Sequence, residues 1–297
     1  MGRMTCNWHA KAETQASKMT HALQKDGAIP SVGTFRNIEQ SLKTIAQTFK
    51  DSKQQSINLV TTEQAIQYLA DRAAEVGQKS LDMERQALQH VLHYNGNLAQ
   101  KETLQVIKSE HVQVLHSRAY TPDQVREIVS HQTAHNAIST AIAYAAGLRA
   151  HELFTIRPSV EHPADPRPAH EAKFQGREGV SYTVTGKGGL KREIRLPKEL
   201  SERLEGYRLP KPEKVTDRGV HYERNYNIGG GNSWSASFTR ASQNVHGWSN
   251  GAHGLRHSYA QERMVELQKE YVRSERLQIV SQEMGHFRPE ITEVYLR

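Results

Sequence analysis

Four residues near the C-terminal end have the types and spacing that phosphate chemistry needs. His253 and Arg256 stand three apart in Ala252-His253-Gly254-Leu255-Arg256-His257. On a helix, positions i and i+3 share a face, so both can point at one phosphate. His286 opens the next segment in Met284-Gly285-His286, and Tyr295 follows nine residues later. A short helix after Pro289 would bring its phenolic oxygen to the same place. A tyrosine beside paired cations is what covalent attack on a phosphodiester requires: a nucleophile, with positive charge where the phosphoryl oxygens gather negative charge.

The boxes HGLRH, MGHF and EVYLR, in this order in a basic chain, resemble the tyrosine recombinase (phage integrase) family. That family carries a His-x-x-Arg box, a Leu-Gly-His-type box and a nucleophilic tyrosine about nine residues later. Two upstream segments extend the resemblance. GLRAHEL has the family's arginine after a Gly-Leu turn and an acid three residues on, which implies Arg149 as the first catalytic arginine and Glu152 as a residue that orients the site. TGKGGLKREIRLP matches the family's lysine-bearing hairpin; Lys187 at its tip is the lysine carried over, with Lys191 as the competitor. Each residue alone has a plain structural reading: a helix-capping arginine, a packed histidine or tyrosine, a solvated lysine. The joint order from 149 to 295 is what carries weight.

The resemblance implies a mechanism. Arg149 and Arg256 clamp the non-bridging oxygens, since guanidinium groups bind them bidentately and keep their proton. His253 and His286 add hydrogen bonds. Tyr295 attacks phosphorus to form a 3′-phosphotyrosyl bond, and Lys187 protonates the leaving 5′-oxygen. A phenol ordinarily ionises near pH 10, so surrounding cations would favour the phenolate. No cofactor and no metal are called for. The implied partners are double-stranded DNA, a homo-tetramer on two recombination sites, and accessory DNA-bending or directionality proteins, with no membrane. The implied setting is the cytoplasm and nucleoid of a bacterium, phage or mobile element, for integration or excision.

Three rivals differ in chemistry. One is a catalytically inactive DNA-binding regulator on the same fold. Another is a type IB topoisomerase-like enzyme. The third is a metal-dependent hydrolase, since His131/His135 and His253/His257 are spaced i, i+4 as zinc ligands can be; HQTAH lacks the glutamate of a metalloprotease helix. Tyr259 and Tyr271 are the second-choice nucleophiles.

Composition agrees with a polyanion partner. The 297-residue chain carries a formal net charge of +7, which favours nucleic acid. Its length suits one large domain or two ordinary ones. The lone Cys6 excludes an intrachain disulfide framework and a cysteine zinc site. No run is apolar enough to span a membrane. The start, MGRMTCNWHAKAE, has no apolar h-region, and Cys6 stands where a lipidation signal needs Ser or Thr.

These residues need elements to hold them, and the chain supplies them in order. Residues 1–31 read as a polar N-terminal extension with a helix possible at Trp8–Leu23. Phe35, Ile38, Leu42, Ile45 and Phe49 form one apolar stripe of a helix. Thr61-Thr62-Glu63-Gln64 has the form of a capping box for a second; Leu81, Leu88, Val91 and Leu92 face inward from a third. A fourth short segment at Leu104–Val112 closes a helical core DNA-binding domain, 32–115. Thr121-Pro122-Asp123 starts a helix that runs to Gly147. Val180–Thr185 and Arg192–Pro197 form a hairpin, 209–232 is a turn-rich insertion, and Gly229-Gly230-Gly231 is a flexible linker. The catalytic domain spans 121–297. The expected class is mainly α with a small antiparallel β-sheet, as a two-domain, C-shaped DNA clamp.

Overall fold

A computed structural model of the chain describes residues 8–111 and 116–297, leaving out the side chain of Lys187. Cys6 and the domain edge expected at 115 lie outside the described residues. The chain divides into two compact units, Met1–Val114 and Leu115–Arg297.

The first unit packs α1 (Ala12–Lys25), α2 (Val32–Lys53), α3 (Thr62–Ala73) and α4 (Gln78–Asn95). Local sequence sets the starts. The Ser31 hydroxyl accepts from the Thr34 amide at α2, and Thr61 and Gln64 cap α3 reciprocally. The stripe Ile38, Leu42, Ile45 and Phe49 is buried with Leu69, Leu88 and Val91. The stretch read from sequence as an extension contributes α1 to this same core, through Ala12, Ala16, Met19 and Leu23. Burying a side chain such as Met19 contributes about 2 kcal/mol, which no mobile tail would do. Of the segment Leu104–Val112, the described part, residues 104–111, is not a helix. Through residue 111 it is irregular chain tied to α4 by side chains: Gln89 accepts from the Leu104 amide at 3.1 Å, and Gln78 accepts from the Ser109 amide at 3.0 Å.

The second unit opens with α5 (Pro122–Ser130) and α6 (Ala134–Ala146). The sequence suggested one helix here. His131 leaves the helical region and Thr133 restarts it, so the chain turns and α6 packs back on α5. A three-stranded antiparallel sheet follows, ordered β1 (Arg157–Pro158), β2 (Val180–Thr185), β3 (Lys191–Leu196). Val180 pairs with Leu196 and Thr185 with Lys191. Tyr182 and Val184 from β2 and Ile194 and Leu196 from β3 face the core with Ile138 and Ile142 of α6.

After α7 (Lys198–Glu205), the expected turn-rich insertion is an antiparallel hairpin, β4 (Arg208–Asp217) and β5 (Val220–Tyr226). The glycine run is not a flexible linker. Gly229, Gly230 and Gly231 are buried, and a Cβ on Gly230 would come within 2.6 Å of the Phe154 ring. Gly231 lies against the same ring and the Asp217 side chain, and Gly229 against the Asn136 side chain, so none of the three has room for a Cβ. The unit ends with α8 (Gly231–His246), α9 (Gly254–Glu266), α10 (Arg273–Glu283) and α11 (Pro289–Thr292). Tyr295 sits in a 3-10 turn after α11 and packs with Met284 and Val280. Among the described residues, no helix is long and apolar enough to cross a membrane.

Candidate active site

The site is built around a carboxylate. α6 ends at Gly147, which has φ +59° and lies under the Tyr259 ring, where a Cβ would approach to 2.9 Å. A left-handed residue in contact with a ring has to be glycine. The turn that follows folds Arg149 and Glu152 together. The Arg149 amide donates to Glu152 Oε2 at 2.8 Å and its Nη1 to Oε1 at 2.7 Å. Glu152 is fully buried.

Two more guanidinium groups close on the same acid. Arg192 shares the inward face of β3 with Ile194 and Leu196. Its Nη2 donates to Glu152 Oε2 at 2.9 Å and its Nη1 to the Glu283 carbonyl at 2.7 Å. Arg256, in the first turn of α9, has Nη1 at 3.9 Å from Glu152 Oε2 and donates to the Gly147 carbonyl. Burial alone would raise the Glu152 carboxyl. Arg192, Arg256 and Arg149 outweigh that and hold it well below the carboxylate range. Burial, then repulsion from Arg149, lowers Arg256 to about 10, which leaves it cationic at neutral pH.

His286 follows Gly285, whose φ of +73° and 2.5 Å approach to the Arg192 Cδ admit no side chain. Arg256 Nη2 lies 2.9 Å from His286 Nε2 and donates to the Met284 carbonyl at 3.2 Å. The Tyr295 hydroxyl is 3.5 Å from the same His286 Nε2. Its ring lies 5.1 Å from the His286 ring, 4.9 Å from His257 and 5.6 Å from His253. The Arg256 Cζ is 5.5 Å from its centroid. Desolvation, reinforced by Arg256, lowers His253 and His286 to about 3. Desolvation and Arg118 lower His257 to about 4. All three imidazoles are neutral at pH 7.

Gln261, one turn beyond His257 on α9, donates to the carbonyls of Tyr295 at 3.1 Å and Arg297 at 3.0 Å. Beside this cluster opens a cavity of about 370 Å³, lined by Arg149, Arg192, Arg288, His286 and the glycines of the β2–β3 turn, with no carboxylate in its wall.

Of the residues singled out from sequence, Arg149, Glu152, Arg256, His286 and Tyr295 are brought together, and His253 stands at the edge beside Tyr295. Lys187 begins the β2–β3 turn, Lys187–Gly189. The neighbouring Gly186 lies against Glu152 and Arg149. The Lys187 side chain lies outside the described residues. Lys191 sits at the start of β3, its amide donating to Asp165 at 2.9 Å. The alternative nucleophiles are engaged elsewhere. The Tyr259 hydroxyl donates to buried Glu283 at 2.8 Å, and burial with that carboxylate pushes its ionisation far up. The Tyr271 hydroxyl donates to Gln175 at 2.6 Å. Among the described residues, no group of three His, Cys, Asp or Glu is arranged to hold a metal ion.

Sequence reasoning missed Arg192 and Gln261, and took His257 only as half of an i, i+4 zinc-ligand spacing, whereas its ring packs 4.9 Å from that of Tyr295. For Arg192 there was a signal: in Lys191–Leu196 it keeps the parity of Ile194 and Leu196, so it had to enter the core. A buried arginine needs an acid, and Glu152 is that acid.

No protein-family model matches the chain, and no curated protein matches it in sequence. Solved structures do match it in shape. A lambda integrase dimer bound to a COC′ core site superposes with a TM-score of 0.60 at 16% identity, over 96% of this chain and 94% of that one. The XerH site-specific recombinase in a post-cleavage complex with palindromic difH substrate gives 0.59 at 15%, over 95% and 81%. The Tn1549 transposon integrase in complex with transposon right end DNA gives 0.54 at 12%, over 97% and 95%. Mainly helical, with small antiparallel sheets and coverage of nearly the whole chain, this protein has the tyrosine recombinase fold.

Proposed function

We propose that the chain is a site-specific DNA recombinase that cuts and rejoins strands through a covalent 3′-phosphotyrosyl link on Tyr295. One observation carries this reading. The Tyr295 hydroxyl lies 3.5 Å from a neutral histidine, His286, that lines a cavity whose wall also holds Arg149, Arg192 and Arg288 and no acid. Three guanidinium groups answered by one carboxylate, Glu152, leave an excess of positive charge that an anion would neutralise. The similar solved structures are recombinases and integrases in complex with DNA, which supports a phosphodiester as that anion.

Arg149 keeps 23% of its side chain exposed while Arg192 and Arg256 keep 2% and 0%, so Arg149 would meet a non-bridging oxygen first. Arg256 would complete the clamp and His253 would donate a further hydrogen bond. Tyr295 Oη would bond to phosphorus as the P–O5′ bond breaks, with Lys187 giving O5′ its proton. A 5′-hydroxyl from another strand would reverse the step. The helical unit, about 32–115 with α1, would grip one part of the duplex and 121–297 another, four protomers would join on two sites, and the biological role would be integration or excision of a mobile element in a bacterial or phage setting. A lambda integrase tetramer bound to a Holliday junction is among the similar structures.

The test uses a nicked suicide duplex carrying the site that the full chain enriches from a randomised pool. Wild type should form a protein–DNA adduct resistant to denaturation, with chelator present, and Tyr295→Phe should form none. Tight binding without an adduct would favour the inactive regulator. Relaxation of a plasmid lacking the site would favour a topoisomerase-like enzyme. Loss of activity in chelator would favour a metal-dependent hydrolase.

A further inference from the structure

The order β1-β2-β3 makes β3 the edge of its sheet. An edge strand offers its amides and carbonyls to whatever lies beside it. At Lys191, the first residue of β3, one residue takes both groups. The Asp165 amide donates to the Lys191 carbonyl at 3.0 Å, and Asp165 Oδ2 accepts from the Lys191 amide at 2.9 Å. Lys191 stands two residues after the turn Lys187–Gly189.

Asp165 reaches this edge because of the segment it belongs to. Residues 159–179, between β1 and β2, form a strap across the outer face of the sheet. Tyr182, Val184, Ile194 and Leu196 face the core, so Thr183, Glu193 and Arg195 share the opposite face. There the Thr183 hydroxyl donates to the His162 carbonyl at 2.6 Å, Lys173 Nζ lies 3.9 Å from Glu193, and Arg195 Cζ lies 5.2 Å from the Phe174 ring centroid. Pro163, Pro166 and Pro168 stiffen the first part of the strap. Pro166 also biases Asp165 toward extended backbone, the shape that can lie along a strand. Further on, the His170 amide donates to the Gln282 side chain at 2.7 Å and the Phe174 amide to that of Glu283 at 2.8 Å. The strap is thus moored on α10 as well as on β3.

The turn has few restraints of its own. Gly188 and Gly189 have φ of +77° and +83°, and a Cβ on either would meet nothing within 4 Å. At its base the Gly186 amide donates to the Leu190 carbonyl at 2.7 Å. On the β2 side the Thr185 amide donates to the Thr155 hydroxyl at 2.9 Å. Each foot of the hairpin end is therefore gripped by a side chain from outside it, Thr155 on β2 and Asp165 on β3.

Resting on the recombinase reading, in which Lys187 protonates the leaving 5′-oxygen, we infer that Asp165 is a positioning residue for that proton transfer. By fixing Lys191 it sets where the Lys187 turn stands over the scissile phosphate. The step it serves is unchanged: Tyr295 Oη bonds to phosphorus, the P–O5′ bond breaks, and O5′ takes the lysine's proton. Asp165 exchanges no proton. Its part is an acceptor oxygen at the edge of β3, so an amide in its place should serve and an alkyl group should not.

The test measures adduct formation on the suicide duplex described above by wild type, Asp165→Ala, Asp165→Asn, Lys187→Ala and Tyr295→Phe. Each is run on the ordinary substrate and on one with sulfur as the bridging 5′ atom, which leaves without an acid. Asp165 is exposed, so Asp165→Ala should fold and bind the duplex as wild type does. Its adduct should form about tenfold more slowly, part of the roughly 10²–10⁴-fold that a positioned acid is worth. The sulfur substrate should erase that deficit, as it should for Lys187→Ala, and Asp165→Asn should keep the wild-type rate. A wild-type rate in Asp165→Ala on the ordinary substrate would overturn the assignment. So would an undiminished deficit on the sulfur substrate, which a merely structural strap would give, or an equal loss in Asp165→Asn. Failure of the recombinase reading looks different: no adduct from wild type, an adduct surviving in Tyr295→Phe, or Lys187→Ala left unrescued by sulfur would remove that reading and the assignment with it.

Discussion

Arg192 and Glu152 meet at 2.9 Å with neither side chain exposed beyond 2%. A buried pair of this kind adds little over a well-packed apolar pair, but removing one partner strands the other. The two sides are unequal here. Glu152 neutralises three guanidinium groups, while Arg192 is one of three that neutralise Glu152. Glu152→Ala should therefore lose about 3–5 kcal/mol of stability by urea denaturation. Arg192→Met should lose clearly less, because Arg149 and Arg256 still hold the acid. Equal losses would mean that the carboxylate is not the hub.

Acid should weaken the fold in two successive, overlapping windows. His257 and His286 are pushed from 6.5 down to about 4 and about 3. As pH falls below 6.5 the unfolded chain takes up protons that the folded chain refuses, so stability drops with pH. Glu152 acts later. Its folded value lies below 4.5, so its contribution is complete above 4.5 and is lost only as pH falls further. The urea midpoint should fall between pH 7 and pH 5, and the His257→Asn, His286→Asn double variant should flatten that slope. An unchanged midpoint in wild type would show that the histidines are not buried neutral.

Gln261 holds the nucleophile by its main chain, through the carbonyls of Tyr295 and Arg297. Gln261→Ala should leave DNA affinity unchanged and slow adduct formation by about tenfold to a hundredfold, since misplacing a reacting group by about 1 Å costs on that order. A matching loss of affinity would point to general unfolding of the C-terminal segment.

Met19 and Leu23 make α1 part of the first unit's core. Met19→Ala should cost about 2–5 kcal/mol, the usual range for emptying such a site. Removing residues 1–31 should cost more and expose the apolar stripe of α2. Circular dichroism melts of the full chain and both variants would show it, and an unshifted melt would return α1 to the status of an appendage.

How far the letters could be read depended on whether a signal was local. The stripe from Ile38 to Phe49, the caps at Thr61 and Thr121, and the β2–β3 hairpin follow from spacing alone. α1 was under-read because its surface is polar, although Ala12, Ala16, Met19 and Leu23 recur every three or four residues. The β4–β5 hairpin was hidden for two reasons. Pro210 and Pro212 lie inside β4, where prolines argue against a strand. Its two-residue turn is Arg218-Gly219, at φ +47° and +73°, in place of the usual Asn-Gly or Asp-Gly. The site boxes were legible because each is a short run. For Arg192 strand parity makes the burial legible but not the partner, since Glu152 lies forty residues earlier and the pairing exists only once β3 has docked.

More than a hundred residues separate Arg149 from Arg256, and the β4–β5 hairpin is threaded between them. Yet the Arg149 amide and the Arg256 Nη1 both address Glu152 Oε2, at 2.8 and 3.9 Å. The chain in between can lengthen, shorten or exchange elements, provided its ends return to that one oxygen. A single acceptor atom thus acts as the surveyor's mark of the site, the point from which both ends of that long stretch of chain are laid out.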